Sequence, residues 1–135
     1  MGGPTNLRIY GLLLRQGRVL VADEEVAGRQ ILKYPGGAVE SGETPEAALV
    51  REFAEECQIA VSPLRLLHTP GTLFSPWTHG DYTPLYYQVS GDGDPVVPDG
   101  EDLTLQFMDP AALISSGRVA APEVVALKRA LNDEQ

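Results

Sequence analysis

The first part of the chain alternates apolar and polar segments in the manner of short β-strands. Residues 7–14 carry regularly spaced apolar side chains, the segment 15–18 is polar, and residues 19–22 are apolar again. This pattern predicts a β-hairpin with a tight turn. A third strand is expected over residues 30–34, because Pro35-Gly36-Gly37 after it should end regular pairing.

A helix over residues 45–56 is the best-defined element of the pattern. Thr44 offers a capping side chain, Pro45 suits the first helical position, and Glu46 places negative charge in the first turn. The other predicted elements are strands at 59–61, 64–67, 85–90 and 103–108, a short helix from Asp109 or Pro110 to Ser115, and a final helix at 122–131. This order predicts one α/β domain over residues 1–135, with a mixed β-sheet sandwiched between α-helices.

Composition and charge exclude several classes of protein. The chain has 135 residues and 10 basic against 19 acidic side chains, so its net charge of −9 argues against binding of nucleic acid through phosphates. Its apolar runs at 9–14 and 19–22 are far shorter than the ~20 residues that cross a bilayer, and no membrane association is expected. The first residues show no basic cluster before an apolar block, so a cytoplasmic location is expected.

The predicted helix carries an acidic ledge, formed by Glu52, Glu55 and Glu56. At 100° per residue these carboxylates share an arc of about 100°, and like charges so close destabilise a helix unless a cation binds them. Hard divalent ions such as Mg²⁺ or Mn²⁺ prefer carboxylate oxygens, and the lone Cys57 leaves no cysteine pair for a disulfide or a zinc site. The alternative is that the ledge is a solvated face of an acidic protein.

The glycine loop before the helix favours the metal site. From Gly37 to Ile59 the sequence reads Gly-Ala-Val-Glu-Ser-Gly-Glu-Thr-Pro-Glu-Ala-Ala-Leu-Val-Arg-Glu-Phe-Ala-Glu-Glu-Cys-Gln-Ile. This run closely resembles the Nudix box, Gly-x5-Glu-x7-Arg-Glu-U-x-Glu-Glu-x-Gly-U, in which U is apolar. Eight of the nine defined positions agree, and Gln58 replaces the last glycine. The chain is therefore similar to the MutT-like Nudix hydrolases.

The resemblance implies a Nudix fold and a hydrolase that cleaves a nucleoside diphosphate linked to another moiety, X. By position, the ledge glutamates Glu52, Glu55 and Glu56 hold a divalent metal, Mg²⁺ or Mn²⁺ in its place, and the carbonyl of Gly36 adds a ligand. Pyrophosphate hydrolysis requires charge neutralisation on the phosphates and a water molecule that is deprotonated in line.

Other positions of the motif have supporting roles by the same resemblance. Gly37 is structural. Arg51, which belongs to the catalytic set, and Glu43 brace the loop and the helix by ion pairing. Gln58 stands where a glycine normally relieves strain after the helix, so its presence affects the helix end more than metal binding.

Two carboxylates are candidates for the general base that activates water. Glu55 is fixed on the helix beside the metal, and a positioned base contributes ~10²–10⁴ in rate. Glu101 precedes an aromatic residue and a short helix, as does a loop glutamate that often acts as metal ligand or base in the family. Alternatively, Glu101 is only a solvent-exposed loop residue.

Aromatic residues after the motif are candidates for stacking on a base. Phe74, Trp77 and Tyr82 are the predicted substrate-binding residues. Tyr86 and Tyr87 should face opposite sides of a strand, so one of them is expected to be buried.

Together these features predict an Mg²⁺-dependent pyrophosphohydrolase acting on a (deoxy)nucleoside triphosphate or a related small nucleotide. The alternatives are an ADP-ribose or nucleotide-sugar pyrophosphatase, and a non-catalytic module that binds a nucleotide. An intact glutamate set argues against the last. A homodimer is possible by resemblance, since family members are often dimers.

Overall fold

The computed structural model describes residues 6–75 and 79–132. Its elements are β1 (Leu7–Arg15), β2 (Arg18–Val26), β3 (Arg29–Lys33), β4 (Gly36–Ala38), α1 (Pro45–Cys57), β5 (Ser62–His68), β6 (Leu73–Ser75), β7 (Gly80–Ser90), β8 (Leu103–Met108), α2 (Pro110–Ser115) and α3 (Ala121–Asn132). None of the helices within these described ranges is long and apolar enough to cross a membrane.

The strands form a mixed sheet built around the hairpin of β1 and β2. β1 pairs in parallel with β7 and antiparallel with β4, and β7 pairs antiparallel with β5 and with the short β6. β2 pairs antiparallel with β3 and β8. The predicted hairpin is confirmed: Gln16 and Gly17 have φ values of 53° and 76°, as a two-residue turn of the right twist requires.

Helices cover both faces of this sheet. Side chains alternate along β1, so that Ile9 and Leu13 pack with residues of α1, whereas Tyr10 and Leu12 pack with residues of α2 and α3. Gly11 lets α1 approach closely, because a Cβ there would lie 2.5 Å from the Phe53 ring. The predicted layered α/β/α architecture is confirmed.

Two sequence predictions around the motif were wrong. Residues 59–61 are not a strand: Ile59 and Val61 are buried, but they follow the end of α1, where the Ile59 N–H donates to the Phe53 carbonyl at 3.4 Å. These residues are apolar because they cover the core. The two glycines after Pro35 do not end pairing either, since Gly36–Ala38 forms β4 against β1.

The strand predicted at 85–90 is longer than expected. β7 begins at Gly80, because its polar first half pairs with β6 on one side and with the start of β1 on the other. β6 itself was not predicted. By contrast, β8 and α2 have the predicted bounds, and α1 exceeds its prediction by one residue, Cys57.

Candidate functional site

The helix α1 presents the three ledge glutamates along the border of its buried face, so that Glu55 lies toward solvent and Glu52 and Glu56 lie partly buried. The Thr44 side chain accepts a hydrogen bond from the Ala47 N–H at 3.1 Å, which fixes where the helix begins. Ala48, Leu49, Phe53 and Cys57 are buried. The ledge residues differ in exposure: the Glu52 side chain is 14% exposed and that of Glu55 is 58% exposed.

The strand β4 lies directly against the ledge. The Gly36 N–H donates to Glu56 Oε2 at 3.1 Å, and the Glu52 carboxylate rests on Gly37, where a Cβ would come within 2.7 Å of it. Gly36 has φ 155°, and a Cβ there would lie 2.0 Å from the Ile9 carbonyl oxygen. Both glycines are therefore required for this packing. The part of Gly36 seen to contact the ledge is its N–H, and the metal role of its carbonyl stays a prediction.

Arg51 ties the loop to the ledge. Its Nε and Nη2 donate to the two carboxylate oxygens of Glu43 at 2.8 and 3.0 Å, and Nη2 also donates to the Ala38 carbonyl at 3.0 Å. Its Nη1 lies 3.1 Å from Glu52 Oε2 and 3.3 Å from Glu55 Oε2. A planar guanidinium can hold these groups at once, whereas a lysine cannot. Arg51 thus fixes two of the ledge carboxylates relative to the glycine loop.

The pKa of Glu56 is raised to about 7, first by burial and also by the neighbouring Glu52 carboxylate, while Lys33 and the Gly36 N–H oppose the shift. When two neighbouring carboxylates are half-buried, the negative charge of each disfavours ionisation of the other. A bound cation would relieve this repulsion. The chemistry of the donors also fits a hard divalent ion, since all are carboxylate oxygens.

The ledge is not arranged as a finished metal site. Among residues 6–75 and 79–132, no group of three or more His, Cys, Asp or Glu side chains is placed tightly enough to hold a metal as it stands. In this arrangement Glu52 and Glu55 are both paired with the Arg51 guanidinium. Binding of a metal through Glu55 requires this exposed carboxylate to leave Arg51.

A cavity of about 210 Å³ lies between the sheet and the start of α3. It is lined mainly by polar and aromatic side chains: Asn6, Arg8, Tyr10, Lys33, Ser75, Tyr82, Tyr86 and Glu123, together with Val26, Ile31 and Ala120. Sequence reasoning missed Arg8, Lys33 and Glu123 here, because they come from three elements that no local pattern connects.

Of the three predicted substrate-binding aromatics, Tyr82 lines this cavity. Phe74 does not; it is 59% exposed and packs edge-on against His79. Trp77 lies outside the described residues. Tyr86 is the buried member of its pair, as expected, and Tyr87 points toward α1, where its hydroxyl donates to Glu46 Oε2 at 2.6 Å.

Lys33 connects the cavity to the ledge. It lines the cavity, its Nζ lies 2.5 Å from Glu24 Oε1, and its charge acts on both Glu56 and Glu123. Its positive charge therefore acts on the cavity and on the ledge. This position of Lys33 could not be predicted from the sequence, because a lysine at the end of a strand is common.

Glu101 is exposed in the loop before β8, where its N–H donates to the Pro98 carbonyl at 3.3 Å. Leu103, two residues further on, pairs with Glu24 of β2, the residue that holds Lys33. Glu101 therefore lies in the loop just before β8, whose first residue pairs with the partner of Lys33. Its role as metal ligand or base stays a prediction.

Comparison with known proteins gives consistent results. The chain matches the NUDIX domain family over residues 5–129. A Mycobacterium tuberculosis protein, provisionally named as an 8-oxo-dGTP diphosphatase, is 47% identical over 60 residues, which are 42% of this chain and 41% of that protein. The 8-oxo-dGTP diphosphatase of Escherichia coli is 53% identical over 38 residues, 28% of each chain. The aligned segments thus span less than half the length of these relatives.

A solved structure shows the fold over nearly the whole chain. The MutT NUDIX hydrolase from Burkholderia pseudomallei superposes with a TM-score of 0.80 at 21% identity, covering 94% of this chain and 98% of the other. Since the family match extends over nearly all of the described residues and the fold agrees, this chain belongs to the Nudix family.

Proposed function

We propose that the protein is a divalent-metal-dependent pyrophosphohydrolase that cleaves a nucleoside diphosphate linked to X, with a (deoxy)nucleoside triphosphate as the substrate class. The observation that carries this proposal is the position of the Glu52, Glu55 and Glu56 ledge against Gly36 and Gly37. A cavity lined in part by aromatic residues accompanies it, and Lys33 in the cavity wall acts electrostatically on Glu56. The names of the partly aligned relatives, 8-oxo-dGTP diphosphatases, support the choice of a triphosphate.

Mg²⁺, or Mn²⁺ in its place, would be held by Glu52, Glu55 and Glu56, with the Gly36 carbonyl as a further ligand. When bound, such an ion neutralises charge on phosphate oxygens and assists deprotonation of water. The half-buried Glu56 is held by the Gly36 N–H, which fixes one carboxylate of the set against the glycine loop.

The chain's own residues then perform the remaining tasks. Arg51 positions Glu52 while Glu43 holds the other side of its guanidinium, so the ledge keeps its place relative to the glycine loop. Glu55 is our choice for the general base: its carboxylate is exposed, sits on a rigid helix, and is bonded only by the long contacts of Arg51 among those seen. Glu101, in a loop, is the alternative.

The cavity is the place we propose for the nucleoside. Tyr10 and Tyr86 stack on each other with ring centroids 5.6 Å apart in its wall, and Tyr82 stands beside them. The Tyr86 ring is also stacked on His68, and the Arg8 guanidinium lies over the Tyr10 ring. We therefore propose that Tyr82 contacts the flat base, while the polar side chains Asn6, Ser75 and Glu123 hydrogen-bond to its edges.

A panel of nucleotides tests the proposal. Canonical and 8-oxo-purine (deoxy)nucleoside triphosphates, ADP-ribose and a nucleotide sugar are incubated with the protein and millimolar Mg²⁺, and the products are separated by chromatography. We expect a nucleoside monophosphate and pyrophosphate from a triphosphate. Cleavage of ADP-ribose or the sugar alone would support the alternative pyrophosphatase. Binding without any cleavage would support a non-catalytic module and contradict the proposal.

A further inference from the structure

We propose that Lys33 binds the phosphate group attached to the nucleoside, and so aligns the substrate between the cavity and the acidic ledge. This inference rests on the proposed function, because it requires a nucleotide to occupy the cavity. It adds a residue that lies outside the Gly37-to-Ile59 motif.

The position of Lys33 is fixed by its surroundings. It is the last residue of β3, where it pairs with Ala22 of β2. The next residue, Tyr34, is fully buried, and its hydroxyl donates to the Glu123 carbonyl at 2.8 Å, which fastens the end of β3 to α3. A lysine held at its backbone in this way points its ammonium to a defined place.

That place lies on the route from the cavity to the ledge. Lys33 lines the cavity, and three residues later along the chain Gly36 holds Glu56 through its N–H. The lysine charge also lowers the pKa of both Glu56 and Glu123. A nucleotide whose nucleoside fills the cavity and whose distal phosphates reach the ledge must pass its first phosphate near this ammonium.

The need for a cation at this point is electrostatic. The protein carries a net charge of −9, and the ledge adds three carboxylates at the place where the phosphates arrive. A cation in the cavity wall offsets this repulsion at the first phosphate. The side chain of Lys33 is 21% exposed, so its ammonium is accessible to a ligand while paired with Glu24.

Arg8 is the other cation of the cavity wall, and it is engaged differently. Its Nε donates to the Tyr10 hydroxyl at 2.7 Å, and its guanidinium lies over the Tyr10 ring. These contacts place it beside the aromatic part of the cavity, where a base would lie. Lys33 is paired instead with the Glu24 carboxylate.

The alternative role of Lys33 is purely structural, as the partner of Glu24. Loss of the lysine leaves Glu24 uncompensated, and this charge alone could repel a phosphate. The double variant Glu24→Gln/Lys33→Met removes both charges, so it separates the two explanations. Lys128→Met, on the exposed side of α3, is a matched control for loss of one positive charge.

The test first identifies the nucleotide that the wild-type protein cleaves best, then measures binding of its monophosphate and of its free nucleoside by calorimetry in millimolar Mg²⁺. We expect Lys33→Met to weaken monophosphate binding about tenfold or more, while nucleoside binding changes by less than about twofold. The double variant should show the same selective loss, Lys33→Arg should recover most of the affinity, and Lys128→Met should bind like the wild type.

The outcomes separate this inference from the proposed function. If no nucleotide in the panel is cleaved, the proposed function fails and this inference fails with it. If a nucleotide is cleaved but Lys33→Met binds the monophosphate as tightly as the wild type, or the double variant recovers full affinity, only the role of Lys33 is overturned. Equal losses for nucleoside and monophosphate would overturn it as well, since they indicate damage to the cavity.

Discussion

The Glu52 carboxylate lies directly over Gly37, so close that a Cβ at residue 37 would be 2.7 Å from its carbon and both oxygens. The obstacle is the end of a flexible side chain, which can move aside. At the neighbouring Gly36 the obstacle is the backbone of Ile9, which cannot. The two adjacent glycines thus serve different purposes, one for the site and one for the fold.

Gly37→Ala should accordingly fold and lose function. We expect its free energy of unfolding to fall by less than about 1 kcal/mol, while its activity falls about tenfold or more because Glu52 is displaced. Urea unfolding and initial rates at several Mg²⁺ concentrations measure both effects. Gly93→Ala, with only an ordinary 3.8 Å contact to Ile59, is the matched control. Normal activity in Gly37→Ala would show that the position of Glu52 is not important.

The residue after α1 is strained. Gln58 has φ 56° and ψ 36°, a left-handed conformation that favours glycine, and its N–H donates to the Phe53 carbonyl. Such a conformation costs a non-glycine residue roughly 1–2 kcal/mol. We expect Gln58→Gly to raise the free energy of unfolding by about 1 kcal/mol, part of the gain being lost to chain entropy.

Gln58→Ala keeps the same strain and should give no such gain. Neither substitution should change kcat by more than about twofold, because Gln58 is exposed and follows the end of α1. A destabilised Gln58→Gly variant would show that the glutamine makes a favourable contact that outweighs its backbone strain.

This position shows what sequence could and could not predict. The motif spacing identified Gln58 as the one departure and located its effect at the helix end, because a fixed pattern marks where a glycine belongs. It could not predict that residues 59–61 cover the core without forming a strand. Apolar residues are required in both cases, and only the contacts of the folded chain distinguish them.

In the candidate site, too, some residues could be predicted from the sequence and others could not. The ledge follows from helical spacing, and Glu43 with Arg51 follows from the motif, so local sequence was sufficient for both. The cavity combines Arg8, Lys33 and Glu123 from β1, β3 and α3. Residues that meet only through tertiary packing leave no periodic signal in a single sequence.

Glu123 should make the stability of the protein depend on pH. Burial raises the pKa of this carboxyl to about 7, although the Ala120 and Tyr34 backbone oppose the shift. The folded state therefore binds the proton more tightly than the unfolded state. The resulting stabilisation is fully present below the unfolded pKa of about 4.5 and is lost as the pH rises through about 7.

Glu123→Gln removes this titration and can still accept the Ala120 N–H. Between about pH 5 and about pH 8, the variant should gain roughly 1 kcal/mol or more in free energy of unfolding relative to the wild type. Urea unfolding across this range, in a chelator so that metal does not contribute, measures the difference. Glu25→Gln, at an exposed position of β2, should track the wild type. Parallel curves for wild type and Glu123→Gln would contradict the assignment.

The two candidates for the general base give opposite results in a pair of variants. If Glu55 is the base, Glu55→Gln should reduce kcat by ~10²–10⁴ even at saturating Mg²⁺, while Glu101→Gln mainly weakens metal binding. If Glu101 is the base, the two effects exchange. Single-turnover rates and Mg²⁺ titrations on each variant measure them. Near-normal kcat in Glu55→Gln would reject our choice, and near-normal kcat in both would reject a carboxylate base altogether.

The central claim is that the Glu52, Glu55 and Glu56 ledge binds the divalent metal that hydrolysis requires. Its most direct test is the rate of pyrophosphate release from the preferred triphosphate, measured with excess EDTA and then during a Mg²⁺ titration, in the wild type and in Glu56→Gln. We predict no turnover in EDTA, full recovery in millimolar Mg²⁺, and a Glu56→Gln curve displaced to higher Mg²⁺ with a lower plateau. Undiminished pyrophosphate release in excess chelator would contradict the account.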